Sequence, residues 1–193
     1  RNLALAHHIA ARAGAGGLRG LVVSGLAPSP LFTLPTGFDW LALPGVEKRD
    51  GVYVPRRLPG TLSETVALRS ALLGAALEGF APDLVIVDRH PLGIRRELEA
   101  PLRALRRSHP EARIVLGLRD VLDDPAVAAR EWEGLGGADA LAPLIDQVWV
   151  YGDPRVHDAT SSGEIPSALA SRALFTGYLA AGRADVDPHP GRL

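Results

Sequence analysis

The chain has 193 residues, 47% of them hydrophobic and 22% charged, and contains neither cysteine nor methionine. That length supports one domain with a sizeable core, and the lack of cysteine excludes disulfides, thiolate metal sites and thiol nucleophiles. Basic and acidic residues balance at 21 against 22, a formal net charge of -1, so no global field draws the chain to nucleic acid or to an anionic membrane.

The chain opens Arg1-Asn2-Leu3-Ala4 without a methionine, which predicts a piece of a longer protein. Leu3, Ala6, Ile9, Ala10 and Ala13 recur at helical spacing, and Gly14 to Gly17 supply a stop. Leu21-Val22-Val23-Ser24-Gly25 reads as a strand ending in a turn, and Trp40 to Pro44 as a second short strand. Gly45 to Pro59 is expected to be a long loop. Thr61 or Ser63 caps a helix that runs to Glu78 and stops at Gly79 and Pro82.

Four consecutive apolar residues between two aspartates, Asp83 to Asp88, form the cleanest strand, and such a run predicts burial on both faces of a parallel sheet. A helix is expected over Leu92 to Arg107, a strand over Arg113 to Asp120, and a helical region from Asp124-Pro125 to Leu144. Gln147 to Gly152 and Ala173 to Tyr178 are the last strands. The alternation predicts an α/β fold with a doubly wound, mainly parallel, Rossmann-like sheet. Because the first helix has no strand ahead of it, the first strand is expected upstream of Arg1. Residues 1–180 then form one domain and 181–193 a linker or tail.

Several familiar chemistries are absent. Lys48, the only lysine, is followed by Arg49, so there is no Walker A loop. No Gly-X-Ser-X-Gly nucleophile elbow occurs. His7 and His8 are adjacent, about 100 degrees apart on a helix, and cannot share a metal. Asp185-Val186-Asp187 has no strand to hold it as a metal motif. The longest uncharged stretch, Gly20 to Phe38, is broken by Pro28, Pro30 and Pro35 and cannot be one membrane helix. Arg12 and the two histidines rule out a signal-peptide core. The excess of Arg, Ala, Gly and Pro points to a GC-rich genome.

In open α/β sheets ligands lie beyond the carboxyl ends of the strands. Three such ends are polar and compact: Asp88-Arg89-His90-Pro91-Leu92-Gly93, Arg119-Asp120 with Asp123-Asp124-Pro125, and Tyr151-Gly152-Asp153-Pro154. Asp124 is explained as a helix N-cap. For Asp88, His90, Arg119 and Asp120, scaffolding of the rim and direct chemistry both remain open.

These segments, in order with Val23-Ser24-Gly25, Phe32-Thr33-Leu34-Pro35, Asp50 to Arg56, Pro82 to Gly93, Leu116 to Pro125, Val150-Tyr151-Gly152 and Phe175 to Tyr178, resemble the N-terminal half of a GT-B glycosyltransferase. The resemblance is to a family 28-like group, related to the bacterial N-acetylglucosaminyltransferase that makes lipid II. It implies one lobe of a two-lobed bacterial enzyme, holding the acceptor, while a C-terminal domain beyond Leu193 binds a nucleotide-sugar co-substrate. It further implies metal-independent transfer with no other cofactor, Asp88 and His90 as base or orienting partner, and a substrate-binding rim of Ser24, Gly25, Arg89, Gly93, Arg119, Asp120, Tyr151 and Gly152. The fragment alone would be inactive. The acceptor would be a small molecule or a lipid-linked one, and the location cytoplasmic, with peripheral contact to the inner membrane face through Leu31, Phe32 and Trp40. Two other readings stand beside it: a nucleotide-sugar 2-epimerase, which shares the two-domain architecture, and a non-catalytic Rossmann-like ligand-binding module.

Overall fold

A computed structural model describes residues 2–13, 17–26 and 33–178. The expected glycine stop at 14–16, the loop residues Leu31 and Phe32, the Asp185-Val186-Asp187 motif and the 181–193 tail lie outside the described residues. The chain divides into two compact units at Gly45 and Val46, with Tyr178 the last described residue of the second.

In the first unit, helix α1 (Asn2–Ala13) buries Ala6 alone. Strands β1 (Gly20–Ser24) and β2 (Phe38–Ala42) pair in parallel, with Val22 opposite Trp40. A side chain at Gly20 would collide with the Phe38 ring, so glycine lets the aromatic lie across the start of β1. The second strand begins two residues earlier than the sequence pattern suggests, because Phe38 rather than Trp40 opens the pairing.

The second unit opens with a hairpin where a loop was expected: β3 (Val46–Arg49) and β4 (Val52–Pro55) pair antiparallel, with Arg49 opposite Val52. Asp50 and Gly51 both take positive φ, 49° and 81°, as a two-residue type I′ turn requires. Lys48 on β3 lies 5.2 Å from the ring centre of its cross-strand partner Tyr53.

Helix α2 (Leu62–Phe80) starts with a complete capping box, Thr61 and Glu64 each holding the other's backbone N–H. It runs past Gly79 and ends at Ala81, whose left-handed backbone donates to the Leu77 carbonyl.

The remainder is a four-stranded, all-parallel sheet with helices in its connections: β5 (Leu84–Asp88), β6 (Arg113–Arg119), β7 (Gln147–Tyr151) and β8 (Ala173–Phe175), in that spatial order. Helix α3 (Glu99–Ser108) links β5 to β6, helices α4 (Pro125–Gly134) and α5 (Gly137–Leu141) link β6 to β7, and α6 (Ser167–Ala170) precedes β8. This is the α/β class read from the sequence.

The doubly buried strand is β6 rather than β5. Ile114 to Leu118 are all buried, whereas β5 stands at the sheet's edge among the described residues and leaves Leu84 41% exposed. One core cluster joins Leu116, Leu118, Val148 and Val150 to Trp132, Leu141 and Leu169. A second joins Val87 and Ile114 to Leu102 and Leu105 of α3. Each such leucine, fully removed from water, contributes about 1.5–3 kcal/mol.

The helix expected from Leu92 begins only at Glu99. A short 3-10 turn, Ile94–Arg96, precedes it, and Gly93, Arg95 and Arg96 all have positive φ. The helical region expected to reach Leu144 is cut at Gly136 and Gly137, both of positive φ.

Arginine does much of the tying between elements. Arg106 at the end of α3 donates to the Ala112 and Leu144 carbonyls and to Asp146, which also accepts the Ile114 N–H. Arg172 donates to the Ala142 and Ile145 carbonyls. A five-donor planar fork can hold several carbonyls at once, which the ammonium of a lysine does less well.

Candidate functional site

Parallel pairing brings the ends of β5, β6 and β7 to one edge. Asp88 stands opposite Gly117, Arg119 opposite Tyr151, and the Arg89 N–H extends the ladder to the Gly117 carbonyl at 2.8 Å. The chain then turns sharply: the His90 N–H reaches the Asp88 carbonyl at 2.8 Å across Arg89, whose φ is +63°, and the Gly93 N–H reaches the His90 carbonyl. Among the described residues, three of the five non-glycine residues with positive φ, namely Arg89, Arg95 and Arg96, fall within this one segment. Such backbone costs about 1–3 kcal/mol per residue and clusters at functional sites.

The strained segment is anchored from beneath. Glu97 and Arg69 of α2 form a buried two-pronged ion pair at 2.5 and 2.6 Å, and Glu97 also accepts the Ile94 N–H. A side chain at Gly93 would press on Glu97 at 2.9 Å, so this glycine is needed both for its φ and for the close approach.

Beside the turn lies an open cleft of about 220 Å³. Arg89, His90 and Pro91 form one wall, Leu118 and Leu122 the floor, and Ala128, Glu131, Trp132 and Leu135 of α4 and its end the other wall. His90 is exposed at the rim. Partial burial, and next the charge of Arg89, hold its imidazole below the usual histidine range, while Glu131 across the cleft and, more weakly, Asp88 pull it back.

The floor and far wall are fixed by one buried residue. Glu164, 1% exposed, accepts the Leu122 N–H at 2.7 Å, the Ser162 hydroxyl at 2.9 Å and His157 Nε2 at 2.5 Å, and its own carbonyl accepts the Trp132 indole N–H. Arg119 closes the same turn by donating to the Leu122 carbonyl at 2.7 Å. Asp124 caps α4 through the Ala126 N–H, with Pro125 in the first turn, as its Asp-Pro sequence predicts.

At the next strand end, Asp120 accepts a hydrogen bond from Tyr178, and burial together with that carboxylate pushes the Tyr178 phenol above its usual range. Gly152 packs directly on Asp120: an added Cβ would meet the Asp120 Cβ at 2.5 Å and its Cα at 3.3 Å. Gly152→Ala is therefore expected to lower stability by about 1–3 kcal/mol, measured by urea unfolding; an unchanged midpoint would rule out this close packing. Tyr151 is buried, 6% exposed, with its phenol over Gly117, so that side chain faces the core.

Of the residues picked out by sequence, Arg89 and His90 line the cleft, and Asp120 and Gly152 touch each other. Asp88, Gly93 and Arg119 position the surrounding turns. Ser24, whose hydroxyl accepts the Leu26 N–H, ends β1 in the first unit, and Gly25 follows it. Asp153 and Asp158 are held by local turns: bonds from Arg155, and from Ser161 and Thr160, bring each carboxyl down to about 2.

Glu131, Trp132, Arg69, Glu97 and Glu164 do not stand out in the sequence as site residues. Ala128, Glu131, Trp132 and Leu135 recur at i, i+3, i+4 and i+7, a face that helical periodicity could have revealed. Among the described residues no group of three or more His, Asp or Glu is placed to hold a metal ion, and no helix is long and apolar enough to cross a membrane. No protein-family model, curated protein or solved structure matches the chain.

Proposed function

We propose that the chain is the acceptor-side part of a family 28-like GT-B glycosyltransferase, with a first strand ahead of Arg1 and a donor-binding domain after Leu193. The observation that carries the reading is the presentation of Arg89 and His90 by a strained turn at the carboxyl end of β5, over a cleft. The β5 edge that is without a strand partner among the described residues is where a preceding strand would add.

In this reading the acceptor hydroxyl oxygen attacks the anomeric carbon of a nucleotide-sugar. The bond from that carbon to the diphosphate oxygen breaks, the nucleoside diphosphate leaves, and the hydroxyl proton passes to His90. An imidazole held below the usual histidine range is neutral at pH 7 and able to accept it. Asp88, at the end of the same strand, serves as its orienting partner or as the base itself. The leaving diphosphate is stabilised by the donor domain, so no step requires a metal.

The test is product analysis on the full-length protein with labelled nucleotide-sugars. Transfer to an acceptor supports the reading, whereas an isomerised free nucleotide-sugar supports a 2-epimerase. His90→Ala and Asp88→Asn should each remove more than about nine tenths of the transfer rate. Rates at the wild-type level in both variants would remove these residues from the mechanism.

A further inference from the structure

We infer that the cleft between the turn after β5 and helix α4 binds a small, uncharged, hydroxyl-bearing apolar ring, and that this ring is the acceptor group. The assignment as acceptor rests on the glycosyltransferase reading; the binding does not. Six lining residues, Pro91, Leu118, Leu122, Ala128, Trp132 and Leu135, have apolar side chains, the Trp132 indole N–H being already committed to the Glu164 carbonyl. A pyranose placed there would leave the hydroxyls directed away from Arg89, His90 and Glu131 facing carbon, at a cost of roughly 1–3 kcal/mol for each one unpaired. An aromatic or alicyclic body carries no such penalty.

The three polar groups, Arg89, His90 and Glu131, belong to the same lining. Between them they offer a cationic donor, a neutral imidazole and an anionic acceptor, which can satisfy both the lone pairs and the proton of one hydroxyl. A carboxylate ligand would be attracted by Arg89 but repelled by Glu131, and an ammonium the reverse, so the charge pattern favours a neutral guest. The volume, about 220 Å³, is below the roughly 300–1,000 Å³ of pockets for drug-sized ligands. The occupant is one or two rings.

The probe is 2-naphthol, titrated into the full chain and followed by backbone and indole N–H chemical shifts, with naphthalene and methyl glucoside as comparisons. Naphthol is expected to shift Leu118, Leu122, Glu131, Leu135 and the Trp132 indole together, and to bind about tenfold more tightly than naphthalene, the worth of one hydroxyl hydrogen-bonded to a charged or polar group. Methyl glucoside should leave these signals unmoved. Ala128→Leu should abolish binding by filling the cleft. Because Ala128 is buried, the pair His90→Ala with Glu131→Ala, both at exposed positions, is the second test: naphthol affinity should fall to that of naphthalene. Shifts scattered over the surface, equal affinity for naphthol and naphthalene in the wild type, or preference for the glucoside would each overturn the inference. Binding as expected, with no sugar transfer in the full-length protein, would instead remove the glycosyltransferase reading and leave the ligand class standing.

Discussion

Arg69→Met should destabilise the protein by about 3–5 kcal/mol, the usual cost of removing one partner from a buried ion pair. Both side chains are 6% exposed or less and meet through two hydrogen bonds in a fork-to-fork arrangement. Without Arg69 the Glu97 carboxylate would remain buried, beside the long Ile94 N–H contact of 3.4 Å. A double variant, Arg69→Met with Glu97→Leu, should recover a large part of the loss, because removing both charges also removes the cost of taking them out of water.

Urea unfolding of the wild type, the single variants Arg69→Met and Glu97→Leu, and the double variant gives the coupling energy directly. A loss below about 1 kcal/mol in Arg69→Met would show that the pair is not buried as described. The effect reaches the cleft as well, since Glu97 packs against Gly93, three residues after His90. With the anchor gone, the three left-handed residues of 93–96 have less to hold them, and naphthol binding should weaken along with stability.

The parts of this fold that the sequence made legible are those decided locally. The Thr61 capping box and the Asp124-Pro125 cap are fixed within three residues, and the apolar runs of β5, β6 and β7 exceed what any loop would carry. The hairpin at 46–55 is equally local in origin: Asp50-Gly51 is a turn signal, but the charged residues of 47–49 and the proline at 55 mask the strands that flank it.

What the sequence could not show depends on partners far along the chain. Glu97 meets Arg69 from 28 residues away, and Glu164 meets Leu122 from 42. Neither separation has a period to betray it. The late start of α3 follows from the first of these contacts: Glu97 turns inward to its arginine, and the backbone before it takes left-handed geometry that no helix propensity would suggest. The candidate site was half visible for the same reason. The rim at the strand ends follows from the parallel sheet alone, whereas the cleft exists because Glu164, on another connection, pins the 119–122 turn with its carboxylate and α4 with its backbone carbonyl.

That carboxylate contributes to the protein's expected response to acid. Burial would by itself raise the Glu164 pKa, but the hydrogen bonds from Leu122, Ser162 and His157 outweigh it and hold the folded-state value below the ordinary 4.5. A group whose folded value is depressed stabilises the protein above its unfolded pKa and loses that contribution as pH falls through the folded one. Stability should therefore be fully present above about pH 4.5 as far as Glu164 is concerned, and decline below it as the carboxyl takes up a proton in the window between the two values. Glu164→Gln should flatten that part of the stability profile.

Glu164→Leu should cost roughly 2–4 kcal/mol at neutral pH, because the buried Leu122 N–H then has no acceptor and His157 loses its partner. The two substitutions separate charge from shape: the glutamine retains a carbonyl oxygen for Leu122, and the leucine retains only volume. If Glu164→Gln and the wild type lose stability in parallel from pH 6 to 3, this carboxylate does not contribute to the acid sensitivity. If Glu164→Leu is as stable as the wild type, the 119–122 turn is held by Arg119 alone. The expected pattern, a flattened profile in one and a large loss in the other, would tie the acid sensitivity of the fold to the residue that shapes the floor and wall of the cleft.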